Sequence, residues 1–467
     1  MVHGKLQVIA GTSDRLFEKL ADEAAQDMEY VDTYLMNYSS FTTPISLLNQ
    51  LIGRFHLGPL PGEYEYFKKW QHSIQSKVLT VIDRWIILQY QDFKYDLDLQ
   101  KKLNLFLFNN DTVLLQQFKQ QVEKIQYNLK VQIQQFSNHQ HHVSMITSSS
   151  NVSAPPSNAF NFHFPFGSNS NSLPPVHTNN ASARRPSNSV ISELPTKIHD
   201  SSPIKTTLHT SLVSLESRDI ARYLTLADFY LFKSIQSREL LSNNSSNKSD
   251  INYTELMTKR ANMLSHWVVH EICSISYLKP KRSLLKKFIE IAKLCLEFNN
   301  FHTCMVITMG LASAPKLKEV WETLSNRDTN TFTSLQKLMD VSMNMRYYRQ
   351  KIQLAKAPSI PFLPVVLKDQ TFFRENSTFL ISHPHLINFA KFTSIRQFVD
   401  KTKALTKENY YFANDLTRYP FFPISTTTTT TVQAQQEGSL DCIADWVENR
   451  LSQVQSCYLH CDLLSKL

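Results

Sequence analysis

Glycine is scarce in this chain: 8 of 467 residues, with only Gly310 and Gly438 beyond Gly167. A phosphate-cradling loop uses glycine to let the backbone close on the anion, and neither G-x-x-x-x-G-K nor G-x-G-x-x-G occurs. Nucleotide binding by those devices is excluded. Cysteine is sparse too, with 6 residues scattered singly at Cys273, Cys295, Cys304, Cys442, Cys457 and Cys461 and no C-x-x-C. No secretory signal and no 18-residue apolar run stands out, which fits a reduced cytosolic protein without structural disulfides. Metal motifs are incomplete as well. Cys457-Tyr458-Leu459-His460-Cys461 lacks a second ligand pair, and His270-Glu271 has Ser274 where H-E-x-x-H needs its second histidine. Neither a metal nor another cofactor is expected.

What the chain does have is helical periodicity with little turn punctuation, the mark of an all-α protein. In Leu284–Leu311 the apolar residues Leu284, Phe288, Ile291, Cys295 and Phe298 recur every three or four positions, while Lys286, Lys287, Glu290, Lys293 and Glu297 fill the other face. Asn299-Asn300 breaks the pattern, because Asn caps a helix better than it continues one. From Phe301 to Leu311 the chain is apolar almost all round, as suits a short helix inside a sizeable core. Lysine plus arginine number 49 against 40 acidic residues, a net +9. That excess suits attraction to anionic lipid or to an acidic protein face. Nucleic acid is not an expected partner, because the aromatics sit at helical spacing and do not interleave with a basic stripe.

The length allows about two to four domains. A first helical module spans residues 1–130, with apolar patterns at Val78, Val81, Ile82, Trp85 and Ile86 and at Leu99, Leu103, Phe106 and Leu107. Residues 131–210 form a Ser/Asn/Pro-rich linker, whose composition changes near Ser137 to one that buries too little apolar surface to offset chain entropy. Arg184-Arg185-Pro186-Ser187 lies within it and resembles a cAMP-dependent kinase site at Ser187. The second module, 211–467, carries polar insertions at Asn243–Asp250 and Thr426–Thr431 and ends in a helix marked by Ile443, Val447 and Leu451.

Particular residues say more. Leu296-Glu297-Phe298-Asn299-Asn300-Phe301 with the apolar run behind it resembles the core signature of Ras-family guanine-nucleotide exchange factors. Asp219–Phe229, Lys259–Val268, Asn344, Tyr348-Arg349, Ile360-Pro361-Phe362-Leu363 and Leu386-Ile387-Asn388-Phe389 follow that family's order. Tyr34-Leu35, Tyr38, Ser40–Pro44, Leu47-Leu48 and Arg54-Phe55 look like the Ras exchanger motif that accompanies such catalytic domains.

The resemblance implies an exchanger-motif module, a larger helical catalytic domain and a projecting helical hairpin. It implies release of GDP from a Ras-like small GTPase by opening of its nucleotide site, without covalent chemistry. The protein is then cytoplasmic and recruited to the plasma membrane where its partner sits, touching membrane only indirectly or peripherally. The hairpin is expected after Phe389 and up to about Asn409, with Phe398 at the position of an apolar wedge. The family's acidic position falls on Lys401, with Asp400 beside it but about 100° away around the helix. Lys259, Arg260, Asn262 and Met305, with Phe389 and Ile395 on the hairpin, match the family's GTPase-binding face. Ala312 replaces an Asn of the family pattern, and the segment after Gly310 is two residues shorter. The alternatives are a Rap or bud-site-selection GTPase as substrate, a non-catalytic GTPase-binding scaffold, and, for Phe398 itself, ordinary packing.

Overall fold

The computed structural model describes residues 7–22, 25–58, 64–108, 117–147, 212–241, 252–314, 317–416 and 440–464. Ser187, the two polar insertions and the tail after Leu464 lie outside the described residues.

Among the described residues, regular structure is almost entirely helical, as the periodicity predicts. The N-terminal module comprises α1 (Ser13–Glu18), α2 (Met28–Asn37), α3 (Pro44–Phe55), α4 (Tyr64–Tyr95), α5 (Leu97–Phe108) and α6 (Lys119–Thr147). Several of these helices start where the sequence supplies a cap. The Asp27 carboxylate accepts from the backbone of Glu29 and Tyr30, and the Thr43 hydroxyl accepts from Ser46 with Pro44 in the first helical turn. Val78, Val81, Ile82, Trp85 and Ile86 line the buried face of α4 and share a core with Phe55, Tyr34 and Phe93. Gln89, at φ −136°, interrupts α4 just beyond that face.

The linker boundary needs a correction. Helix α6 runs to Thr147, so the first part of the stretch assigned to linker is helical. Its glutamines are good helix formers, and no proline occurs between Pro61 and Pro155 to stop it.

The second module contains α7 (Ser217–Ser234), α8 (Tyr253–Cys273), α9 (Leu278–Glu297), α10 (Phe301–Ser313), α11 (Lys318–Trp321), α12 (Asn326–Gln336), α13 (Ser342–Leu354), α14 (Leu363–Glu375), α15 (Phe389–Ala404) and α16 (Leu440–Leu464). Helix α10 is buried nearly all round, with α8 and α9 packed along it. Gly310 makes the approach of α8 possible: a Cβ there would lie 2.9 Å from both the backbone oxygen and the hydroxyl of Ser265. Helix α16 closes the domain, burying Ile443, Val447 and Leu451 against α7 and α8.

A pair of two-residue strands, which the periodicity does not anticipate, joins the modules. Strand β1 (Ala10–Gly11) runs antiparallel to β2 (Ile387–Asn388), with Ala10 opposite Asn388 and Gly11 opposite Ile387. Two residues are too few to show a period-2 pattern.

Gly310→Ala is expected to lower stability by about 1–3 kcal/mol, because the clash involves α8 backbone that cannot rotate away. Thermal unfolding of the full chain measures this, and an unchanged midpoint would show that α8 and α10 separate at little cost.

Candidate functional site

The turn between α9 and α10 organises the second module. Asn299 adopts φ +56°, a left-handed conformation that Asn tolerates better than most residues, and it reverses the chain between the two helices. Asn300 is buried and caps α10 by accepting from Thr303 N at 3.0 Å, while its side-chain amide donates to Thr225 and Asp228 at 3.3 Å each. The backbone on either side is tied to a distant segment: Ile360 N donates to Asn299 O at 2.9 Å, and Phe301 N donates to Ile360 O at 3.0 Å.

Helix α15 is attached at both ends. At its C-terminal end, Ser359 N donates to Leu405 O at 2.9 Å and the Tyr410 hydroxyl donates to Phe298 O at 2.8 Å, so the helix is fixed to the asparagine turn. Its first turns belong to the other module. Phe389 stacks on Tyr30 with ring centroids 4.8 Å apart, and the Phe392 ring lies 5.7 Å from that of Phe41. Phe389, Phe392 and Ile395 are part of the N-terminal hydrophobic core, whereas Val399 is part of the second module's core. Ala390 N donates to Ile9 O at 2.9 Å, and Arg396 donates to Glu29 O at 3.2 Å. Lys391 gathers the preceding loop by donating to Arg374 O, Asn376 O and Thr378 Oγ1; desolvation, then the nearby Arg374 charge, lowers its pKa.

The stretch expected to hold the whole hairpin holds one helix. Only α15 occupies the chain from Phe389 towards Asn409, and the helices packed beside it are α2 of the N-terminal module and the upstream α14. Phe398 is half-buried, with its ring 5.4 Å from that of Phe373 on α14. Asp400 is exposed and pairs with Arg396 at 3.1 Å, and Lys401 is exposed on the next position.

Five of the six residues matched to a GTPase-binding face are buried. Phe389 and Ile395 brace α15 as described. Met305 is 1% exposed inside the core, and Asn262 is also buried. Arg260, expected on a partner-binding face, is 5% exposed; its guanidinium donates to Glu448 on α16 at 2.7 Å and lies 3.8 Å from Asp228. Burial opposes its charge, yet the Glu448 and Asp228 carboxylates outweigh that and raise its pKa. Glu448 also accepts from the Tyr223 hydroxyl, whose pKa burial and then Glu448 push well up. Of the set, Lys259 alone is exposed, paired with Glu255 at 2.7 Å one turn away. Helical spacing places these residues on α8 and α10 but does not say which flank faces α16.

Sequence reading passed over Asp228 and Glu448 as polar partners. Asp228 was visible within the Ala227-Asp228-Phe229 run, where an acid interrupts an apolar stretch. Glu448 sits one position after the core residue Val447, with nothing local to mark its role.

With this geometry in place, the comparisons with known proteins decide the family. The RasGEF domain model matches residues 219–393, and the RasGEF N-terminal motif matches residues 7–106. The chain belongs to the Ras guanine-nucleotide exchange factor family. Ras guanine nucleotide exchange factor J of Dictyostelium discoideum is 29% identical over 414 residues, covering 87% of this chain and 45% of that protein. Ras guanine nucleotide exchange factor M of the same organism is 31% identical over 223 residues, 46% of this chain and 23% of that protein. Rap guanine nucleotide exchange factor 5 of Rattus norvegicus is 36% identical over 195 residues, 40% of this chain and 33% of that protein. This RasGEF chain thus spans less than half the length of each of these relatives.

Arg260→Ala is expected to destabilise this exchange-factor fold by about 3–5 kcal/mol, because it leaves Glu448 and Asp228 without their buried cation. Lys259→Ala, which removes an exposed pair, is expected to cost less than about 0.5 kcal/mol. Urea unfolding of the two variants distinguishes them, and equal stabilities would contradict the burial assigned to Arg260.

Proposed function

We propose that this chain promotes GDP release from a Ras-like small GTPase, with α15 as the element that enters the nucleotide site. The observation that supports this reading best is the attachment of α15: both ends are fixed, one to each module, while Ser394, Gln397, Asp400 and Lys401 remain exposed along it. A helix held in this way can press on a flexible switch segment without itself giving way.

The exchange reaction needs no bond to be made or broken. The protein must bind the opened or nucleotide-free GTPase more tightly than the closed, nucleotide-bound form. By linkage, nucleotide and exchange factor weaken each other's binding, so GTP entering the emptied site completes the cycle. In this reading Phe398 supplies the apolar contact near the exposed flank, and Asp400 and Lys401 supply charge. Lys259 on α8 contributes a cation to the same partner. The buried Arg260, Asn262, Met305, Phe389 and Ile395 hold these elements in position and do not touch the partner.

Among the described residues no helix is long and apolar enough to cross a membrane. The proposed setting is the cytoplasmic side of the plasma membrane, with Ser187 as a site for a cAMP-dependent kinase that would add about −1.5 to −2 charge.

A Rap-like substrate is the second reading, favoured by the 36% identity to a protein named as a Rap exchange factor. Release of fluorescent GDP from purified Ras-like and Rap-like GTPases tests both. Acceleration of one identifies the substrate branch, and stable binding without acceleration of either would leave a scaffold. Phe398→Ala is expected to slow exchange at least about tenfold, equivalent to about 1.4 kcal/mol of transition-state stabilisation, while leaving the fold intact.

Removal of residues 1–125 is expected to expose Phe389, Phe392 and Ile395 and impair exchange by the remaining module. Full activity in a folded truncation would show that the N-terminal module does not brace α15.

A further inference from the structure

The turn from α8 into α9 carries a surface outside the residues proposed for exchange. From Ile272 to Ile289 the sequence contains no Asp or Glu, but it contains Lys279, Lys281, Arg282, Lys286 and Lys287. Lys286 pairs with Asp328 at 2.7 Å, and Lys287 donates to the carbonyls of Val213 and Leu215. Lys279, Lys281 and Arg282 have no acidic side chain within ion-pair distance among the described residues. Beside them Tyr277 is 77% exposed and Leu278 is 46% exposed.

Folding stability gives no reason for this arrangement. The three bases occupy the opening turns of α9, where the helix dipole favours acidic residues, and the first turn contains none. Tyr277 occupies the N-cap position without making a side-chain cap bond. An aromatic and an aliphatic side chain held out in water beside unpaired bases suit a surface that is negative at its face and apolar just beneath. A bilayer containing anionic lipid has that profile: phosphate and carboxylate groups attract the bases, while the ring and the leucine enter the boundary with the acyl chains.

We propose that residues 277–282 form a peripheral docking site for anionic membrane, acting in addition to any tethering by the GTPase. The site lies at the far end of α8 from Lys259, about 20 Å along the helix axis at 1.5 Å per residue. Lipid and GTPase can therefore be engaged by separate surfaces. The inference does not depend on the exchange reading, because it concerns the protein alone.

The test is co-sedimentation of the full chain with vesicles of phosphatidylcholine, with or without phosphatidylserine, at low and physiological salt. Binding is expected only to the vesicles with phosphatidylserine, and to weaken as salt rises. The variant K279A/K281A/R282A is expected to partition about a hundredfold less, at roughly fivefold per charge. Y277S/L278S is expected to weaken binding without changing the salt dependence. Circular dichroism of both variants checks that the fold is retained. Wild-type protein that ignores phosphatidylserine, or a triple variant that binds like wild type, would overturn the proposal. So would sedimentation that requires a vesicle-tethered GTPase, which would assign the patch to a protein partner. GDP release in solution is expected to be unchanged in both variants, so failure of the exchange reading would leave the vesicle result standing.

Discussion

The structure depends on one helix being shared between two hydrophobic cores. Phe389, Phe392 and Ile395 fill the N-terminal core, and Val399, one turn on, fills the second. Full burial of each large side chain contributes about 1.5–3 kcal/mol, so the modules cannot separate without exposing several such groups at once. The short β1–β2 pairing and the Arg396 bond to Glu29 add direction to that attachment. A helix anchored in two cores is held in place along its length.

The second constraint is a buried polar chain running from the asparagine turn to the last helix. Asn300 and Thr303 meet Asp228, Arg260 lies between Asp228 and Glu448, and Tyr223 completes the set. Apolar packing alone would let α7, α8, α10 and α16 slide against one another. Charged groups with directional partners admit fewer arrangements, because each misplacement strands a buried charge. The exposed residues of α8 inherit their orientation from that network.

Much of this was legible in the sequence. The apolar spacing of Leu284–Phe298 and the Asn299-Asn300 break located α9, the turn and α10, because helical burial and capping are local properties. The order of the family motifs identified both modules. Burial was not legible at single positions: Arg260 reads as a surface base until α16 supplies Glu448 from the far end of the chain. Phe389 and Ile395 read as partner contacts for the same reason, since Tyr30 and the rest of their core lie in the other module. The second helix expected between Phe389 and Asn409 is absent there, because the residues after Ala404 in that stretch form turns and not a further helix. For Arg260, Phe389 and Ile395, what escaped sequence reading was a contact between distant segments, whereas the α6 boundary was a local misjudgement of composition.

The pairing of Ala10 with Asn388 has a consequence for synthesis. Most of the chain separates these two residues. A ribosome adds about 5–20 residues per second, so the N-terminal module emerges tens of seconds before Phe389 does. Throughout that interval the surface around Tyr30 and Phe41 has no ring to receive, and it offers nascent-chain chaperones an apolar site that the finished protein conceals.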